Sequence, residues 1–267
     1  PRPLDLPPPF WMWHGASAGE VRGLRVLWEH FGGVASADAH LSCSRSGMAM
    51  WSQLGIGRER LRLFPPDTKS SWASLCRNGY PAMVIVSETE LWPGLFRAMV
   101  QRRVPVVLVS ARVSQRTTAL MKASRLLADI APALFVCAQT CDDAARFAAL
   151  GVPGGQIAIC GSLKWCSGSL ANRADARAAM GMDGNDRVVL FGSMHRGEMS
   201  HVVSAIEQTR LAGISPRFVV APRNVTDYDY ADAILKREGL RPLRLSSLTP
   251  TRISAPGSVL LVDKMGV

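Results

Sequence analysis

Short apolar runs alternate with amphipathic stretches from one end of the chain to the other. The continuous β-branched runs Val84-Ile85-Val86 and Val106-Val107-Leu108-Val109 predict strands buried on both faces, as in a parallel sheet. The first part of the chain yields six strands on this pattern: Phe10–Trp13, Leu61–Phe64, Ala82–Val86, Val104–Val109, Ala133–Cys137 and Gln156–Cys160. Helical spacing fills the intervals. Leu91, Leu95 and Met99 with Trp92 and Phe96 make one stripe, and Pro93 falls in its tolerated first turn. Thr140-x-x-Asp143 opens another helix, which Gly151 and Pro153 stop. The pattern predicts an α/β fold. Residues 162–175 break the rhythm with small, polar, aperiodic sequence, as a linker does. A second series follows, with strands at Val188–Phe191, Arg217–Ala221 and Val259–Val262, a further short one at Pro242–Leu245, and helices near Arg196–Ala212 and Asp227–Glu238. Two domains are expected, 1–161 and 176–267. The second holds fewer strands than the five or six of a doubly wound sheet, so an incomplete domain is expected there.

Trp11-Met-Trp-His-Gly-Ala-Ser-Ala-Gly-Glu20 is the most informative stretch. An apolar strand end feeds a small-residue turn, and a helix with Val21, Leu24, Leu27, Trp28 and Phe31 on one face begins there. Strand, glycine turn and helix N-terminus together receive anions, which makes Ser17 and Gly19 candidate ligand contacts. Glu20 stands in the helix's first turn. Ser17-x-x-Glu20 is also a capping box, so Glu20 has a structural role open to it as well as a functional one.

Strand ends recur as candidates. Ser87-Glu-Thr-Glu-Leu-Trp-Pro93 places Glu88 and Glu90 at the carboxyl edge of the sheet, where open α/β folds bind ligands. Ser87-x-x-Glu90 offers Glu90 a capping role, whereas Glu88 has none. Arg112, beyond the next strand, can bind an anion or pair with Glu88. Lys164 can meet a phosphate or stand solvated. Ser193 and His195 lie in a strand–turn–helix cradle suited to phosphate, and Pro222-Arg223 and Met265-Gly266 repeat the strand-end placement. His14, alone, fits a satisfied strand-end histidine. There is no Walker loop, no Gly-x-Gly-x-x-Gly, no Gly-x-Ser-x-Gly and no His-x-x-x-His, which argues against nucleoside triphosphate, dinucleotide and serine-hydrolase chemistry.

Composition narrows the picture further. The 267 residues are 48% hydrophobic and 19% charged, values of an ordinary globular chain. No apolar run approaches the length of a membrane span, and the proline-rich start lacks the pattern of a signal peptide. The six cysteines form no Cys-x-x-Cys pair, so zinc and redox readings are weak and reduced thiols are expected. The net charge of +10 suits phosphorylated substrates or an anionic membrane surface. A nucleic-acid partner is not expected, since neither interleaved aromatics nor a recognition motif accompanies the charge.

Seven segments in order carry a resemblance: His14-Gly-Ala-Ser-Ala-Gly-Glu20, Ser87-Glu-Thr-Glu-Leu-Trp-Pro93, Ala111-Arg-Val-Ser114, Gly161-Ser-Leu-Lys164, Gly192-Ser-Met-His-Arg-Gly-Glu198, Ala221-Pro-Arg223 and Asp263-Lys-Met-Gly266. Together the chain resembles the 3-deoxy-D-manno-octulosonic acid (Kdo) transferases. The resemblance implies a GT-B architecture, two Rossmann-like domains, with acceptor binding in the first and CMP-sugar binding in the second. It implies inverting, metal-independent transfer of Kdo from CMP-Kdo to lipid A precursor, without a cofactor, at the cytoplasmic face of the bacterial inner membrane. Glu20 takes the place of the general base, and Glu88 and Lys164 assist at the transition state. Ser17, Gly19, Arg112, Ser193, His195, Pro222, Arg223, Met265 and Gly266 are the implied substrate contacts. The helix N-terminus at Glu20 is expected to lower its pKa.

The sequence also departs from the family pattern. Met194 and Arg196 stand where the family has Thr and Glu. A later Gly-Gly-His-Asn-Pro-Leu-Glu segment and an N-terminal anchor are absent, which leads to the expectation of a truncated gene or a fragment. The rival function is a non-catalytic remnant that binds anionic lipid or a sugar acid without transfer.

Overall fold

A computed structural model of the chain describes residues 3–7, 9–166, 177–178, 180, 182, 185–247 and 257–264. The chain divides into two compact units, 1–168 and 169–267.

Unit 1 alternates strand and helix: β1 (Trp11–His14), α1 (Ala18–His30), β2 (Ala39–Ser42), α2 (Arg45–Gln53), β3 (Leu61–Leu63), α3 (Lys69–Leu75), β4 (Met83–Ser87), α4 (Pro93–Val100), β5 (Val106–Ala111), α5 (Gln115–Ser124), β6 (Leu134–Ala138), α6 (Cys141–Ala149) and β7 (Ile157–Ile159). The seven strands pair in parallel, in the order β3-β2-β1-β4-β5-β6-β7. Successive strand side chains point to opposite faces, and both faces are covered. Met12, Val84, Val86, Val106 and Leu108 enter a core with Trp72, Phe96 and Phe147 of α3, α4 and α6. Trp13, Ile85 and Val109 enter a second core with Trp28 of α1 and Trp51 of α2. All seven tryptophans of the chain, including Trp13, Trp28, Trp51 and Trp72 at 1% exposure or less, belong to this unit.

Strand β2 was not among the six expected. Its residues Ala39, His40, Leu41 and Ser42 are all buried, but two of the four are polar, so no apolar run marks the strand. His40 packs edge-on to Trp28 and Trp51, with ring centroids 5.3 and 4.5 Å away. Burial, reinforced by the Arg60 charge, pushes the His40 pKa down to about 3. The imidazole is therefore held neutral in the core.

The polar stretch expected to begin a linker at residue 162 belongs to unit 1 as far as residue 166. Leu163–Trp165 form a 3₁₀ turn packed on α1, and the Leu163 N–H donates to Ser110 Oγ at 2.9 Å. The division falls after Gly168, inside the stretch 162–175 expected as a linker. The rest of the expected linker lies outside the described residues.

Unit 2 contains β8 (Val188–Met194), α7 (Met199–Leu211), β9 (Arg217–Pro222), α8 (Tyr228–Arg237), β10 (Pro242–Arg244) and β11 (Val259–Leu261). The described strands are all parallel, in the order β10-β11-β9-β8. Val202, Ile206, Phe218, Val220, Leu235 and Leu261 are central to its core. Among the described residues, no helix is long and apolar enough to cross a membrane.

Two expectations follow for unit 1. With its own two-faced core, residues 1–168 expressed alone unfold in one cooperative thermal transition with a defined near-UV circular dichroism signal; a fragment without that signal would refute an autonomous unit. His40 adds a pH dependence. The unfolded chain takes up a proton near pH 6.5 and the folded one only near pH 3, so stability present above pH 6.5 is lost as pH falls between those values. The midpoint of this fragment should drop by roughly 2–4 °C per kcal/mol so lost. His40→Leu should flatten that part of the profile.

Candidate functional site

The topology of unit 1 brings four of the expected residues to one edge of its sheet. Glu20 follows β1, Glu88 follows β4, Arg112 follows β5 and Lys164 follows β7. The order of strands reverses direction at β1, whose neighbours are β2 and β4. Crevices at such points receive ligands in open α/β sheets.

Glu20 occupies the third position of α1, whose N-cap is Ser17. Its Oε2 accepts the Ala16 N–H at 2.7 Å and its Oε1 accepts Ser17 Oγ–H at 3.1 Å, while its own N–H donates to Ser17 Oγ at 3.4 Å. The capping function is thus real, and it leaves the carboxylate half-buried at the sheet edge. The turn is fixed from the other side as well. The Ala16 carbonyl accepts from Ser42 Oγ at 2.9 Å and from Ser44 Oγ at 2.5 Å, which ties it to the start of α2. That approach requires Gly47, where an added Cβ would stand 2.0 Å from Ser42 Oγ.

The electrostatics of Glu20 reverse the expectation from the helix dipole. Burial raises its pKa above the ordinary carboxylate value, and the charges of Glu90 and Glu88 raise it further; the Ala16 N–H and Ser17 hydroxyl bonds oppose this and do not prevail. A carboxylate with a raised pKa is a stronger base than an exposed one.

Glu88 is 5% exposed and sits in the left-handed backbone region at φ 58°, a conformation that costs a non-glycine residue about 1–3 kcal/mol. Its N–H donates to the Val109 carbonyl at 2.9 Å. Its carboxylate lies 2.5 Å from Lys164 Nζ and 3.8 Å from Arg112 Nε. Arg112 therefore pairs with Glu88, and Lys164 is directed to the site rather than to solvent alone. The Lys164 side chain lies along the face of α1 where Gly19 and Gly23 present no side chain. A hollow of about 480 Å³ opens beside Arg112, with Ser114, Gln139 and Arg146 also in its wall.

Glu90 does not cap α4. The N-cap position is Trp92, and Asp67 accepts the free N–H groups instead, from Gly94 at 2.8 Å and Leu95 at 2.7 Å. Asp67 also accepts the Trp72 indole N–H at 2.9 Å. Gly94 is required there, since a Cβ would meet the Asp67 carbonyl at 2.4 Å. Glu90 turns to His14 and Trp92: its Oε2 is 3.5 Å from His14 Nε2 and accepts the Trp92 indole N–H at 2.8 Å.

Two positioning residues went unnoticed in the sequence. Ser110, in the left-handed region at φ 49° within a bulge of β5, holds Leu163 and so sets the root of Lys164. Asp67 acts across 27 residues of sequence, and only its place before the Thr68 cap hinted at a turn.

In unit 2, Ser193 likewise lies in a bulge, of β8, at φ 61°. His195 caps the next helical turn and exchanges a reciprocal pair of bonds with Glu198. Pro222 pairs with Met194, and the Arg223 N–H donates to the Met194 carbonyl at 2.9 Å, so Ser193, His195, Pro222 and Arg223 share the carboxyl edge of β8 and β9. Met265 and Gly266 lie outside the described residues.

The family described as 3-deoxy-D-manno-octulosonic-acid transferase (kdotransferase) matches residues 2–167. The chain belongs to this family. Among Kdo-transferase relatives, the 3-deoxy-D-manno-octulosonic acid transferase of Bordetella pertussis is 28% identical across 99% of the chain and 63% of its own length. A bifunctional glycosyltransferase/methyltransferase of Fusobacterium nucleatum is 23% identical across 98% of the chain and 42% of its own length. The chain thus spans about two fifths to two thirds of these relatives. The UDP-GlcNAc 2-epimerase of Neisseria meningitidis, solved with UDP-GlcNAc bound, superposes with a TM-score of 0.59 at 12% identity, over 97% of this chain and 72% of that one. That likeness places the fold among the GT-B enzymes.

Asp67 anchors the loop that carries Glu88 and Glu90. Asp67→Ala removes three hydrogen bonds to one carboxylate, and should cost unit 1 roughly 2–4 kcal/mol in urea unfolding. A loss below about 0.5 kcal/mol would mean that α4 caps itself by other means.

Proposed function

We propose that the protein transfers Kdo from CMP-Kdo to a lipid A precursor, with inversion at the anomeric carbon and no metal in the transfer step, at the cytoplasmic face of the inner membrane. Membership of the Kdo-transferase family supplies the reaction class. The observation that carries the reading is a half-buried Glu20 with a raised pKa, at the same sheet edge as the buried Glu88 and its partner Lys164.

In this reading Glu20 takes the proton of the acceptor hydroxyl as its oxygen attacks the anomeric carbon. The bond from that carbon to the CMP phosphate breaks, and CMP departs with the electron pair. Positive charge builds on the sugar ring as the bond lengthens, and the fixed carboxylates of Glu20 and Glu88 favour it, while Lys164 favours the departing phosphate. Before this step Lys164 is paired with Glu88. Arg112 and Arg146 at the rim of the 480 Å³ hollow suit phosphate groups of the acceptor. Ser17 and Gly19 line the turn that the acceptor approaches. CMP falls to unit 2, where Ser193, His195, Pro222 and Arg223 stand together, with Met265 and Gly266 as further contacts. The basic balance of the chain suits an anionic lipid surface.

Transfer measured with CMP-Kdo and lipid A precursor tests this. Glu20→Gln keeps the size and most of the capping bonds yet removes the base, so kcat should fall by about 10²-fold or more. In the parent, activity should decline with acidity through a pKa above the ordinary carboxylate value, and Glu20→Gln should lose that limb. Near-normal turnover in the variant would leave Glu20 as a cap alone. Saturable binding of acceptor and donor by the parent without any turnover would favour a binding remnant.

A further inference from the structure

His14 is 1% exposed, and neither ring nitrogen has a hydrogen-bond partner. Burying an imidazole in that state costs free energy, and such an orphan calls for an explanation. Its Nε2 points to Glu90 Oε2 at 3.5 Å, beyond hydrogen-bond length. Cys43, a free and exposed cysteine in the turn after β2, stands on the same spot: its thiol, the imidazole nitrogen and the Glu90 carboxylate oxygen all lie within 4.8 Å of one another.

We propose that His14, Cys43 and Glu90 form a binding site for one borderline-soft divalent cation of the zinc type. The donor set is one imidazole, one thiolate and one carboxylate. It is the mixture that selects zinc over magnesium or calcium, and its two negative charges balance the ion. Metal–ligand bonds of 2.0–2.3 Å put tetrahedral donors about 3.3–3.8 Å apart. The His14–Glu90 separation of 3.5 Å already has that spacing, and Cys43 closes the remainder by rotating about Cα–Cβ on its exposed turn. Glu90 is aimed from behind by the Trp92 indole N–H at 2.8 Å, the kind of outer contact that orients a metal ligand. The His14 ring is held by Phe64, 4.3 Å between centroids, and by Trp92 at 6.4 Å. Three protein donors leave a fourth position for water or a ligand atom.

The ion would join the carboxyl ends of three adjacent strands, β2, β1 and β4, where the strand order reverses. Glu20 takes no part, since its carboxylate is engaged by Ala16 and Ser17. The inference therefore stands apart from the proposed transfer and is read without substrate.

Cobalt(II) titrated into the full chain, with any affinity tag removed, is the direct probe. The expected result is a one-to-one tetrahedral spectrum with a thiolate-to-cobalt charge-transfer band, discharged by zinc, and a rise in the thermal midpoint of the parent on adding zinc. Cys43→Ser, at an exposed position, should abolish the band and the rise while near-UV circular dichroism shows an unchanged fold. Trp92→Phe should keep the band with zinc affinity weakened about 10-fold or more. Cys141→Ser and Cys160→Ser should change neither reading. Absence of a charge-transfer band in the parent would overturn the site. A band or a zinc-dependent rise that persists in Cys43→Ser, or that disappears in Cys141→Ser or Cys160→Ser, would overturn it in favour of adventitious thiol binding.

Discussion

The parallel pairing of β1 between β2 and β4 is the constraint on which the candidate site depends. Parallel strands share one carboxyl edge, so each turn that leaves the sheet there is brought beside the next whatever its distance in sequence. Residue 20 meets residues 88 and 90 for that reason alone, and residue 164 joins them by returning after β7. Polar contacts then fix the turns. The Ala16 peptide gives its N–H to Glu20 and its carbonyl to Ser42 and Ser44, which makes one amide the meeting point of two loops.

The behaviour of Glu20 shows how competing electrostatic effects are ranked. A helix N-terminus favours a carboxylate by a few tenths of a kcal/mol to about 1 when exposed. Partial desolvation and two neighbouring carboxylates act the other way, and here they prevail. The same capping geometry that looks purely structural in a string of letters is what holds the group in a partly dry place. Structural and chemical duties are therefore not alternatives for this side chain.

The sequence made the α/β class, most strands and the four strand-end residues Glu20, Glu88, Arg112 and Lys164 legible, because apolar runs and the turns after them are local signals. The family resemblance was legible too, since its segments keep their order. What stayed hidden was non-local. Strand β2 is buried through His40 and Ser42, whose polarity hides the strand from a hydrophobicity pattern. Ser87-x-x-Glu90 has the letters of a capping box, yet Asp67 from a distant loop holds the helix start and frees Glu90 for His14. The turn at Leu163–Trp165 looked like linker because the partner that orders it, Ser110, lies 53 residues away. Periodicity cannot register contacts of that kind.

The placement of the tryptophans has an optical consequence. With all seven in unit 1 and none in unit 2, the tryptophan emission of the chain reports on the first unit only. Trp92 is the informative member at the site, since its indole touches Glu90 and its ring stands near His14. The buried Trp13, Trp28, Trp51 and Trp72 supply a blue-shifted background that responds only when the core opens. A ligand of the second unit would therefore be spectrally silent unless it disturbs the first, and tyrosine or an introduced fluorophore would be needed to see it.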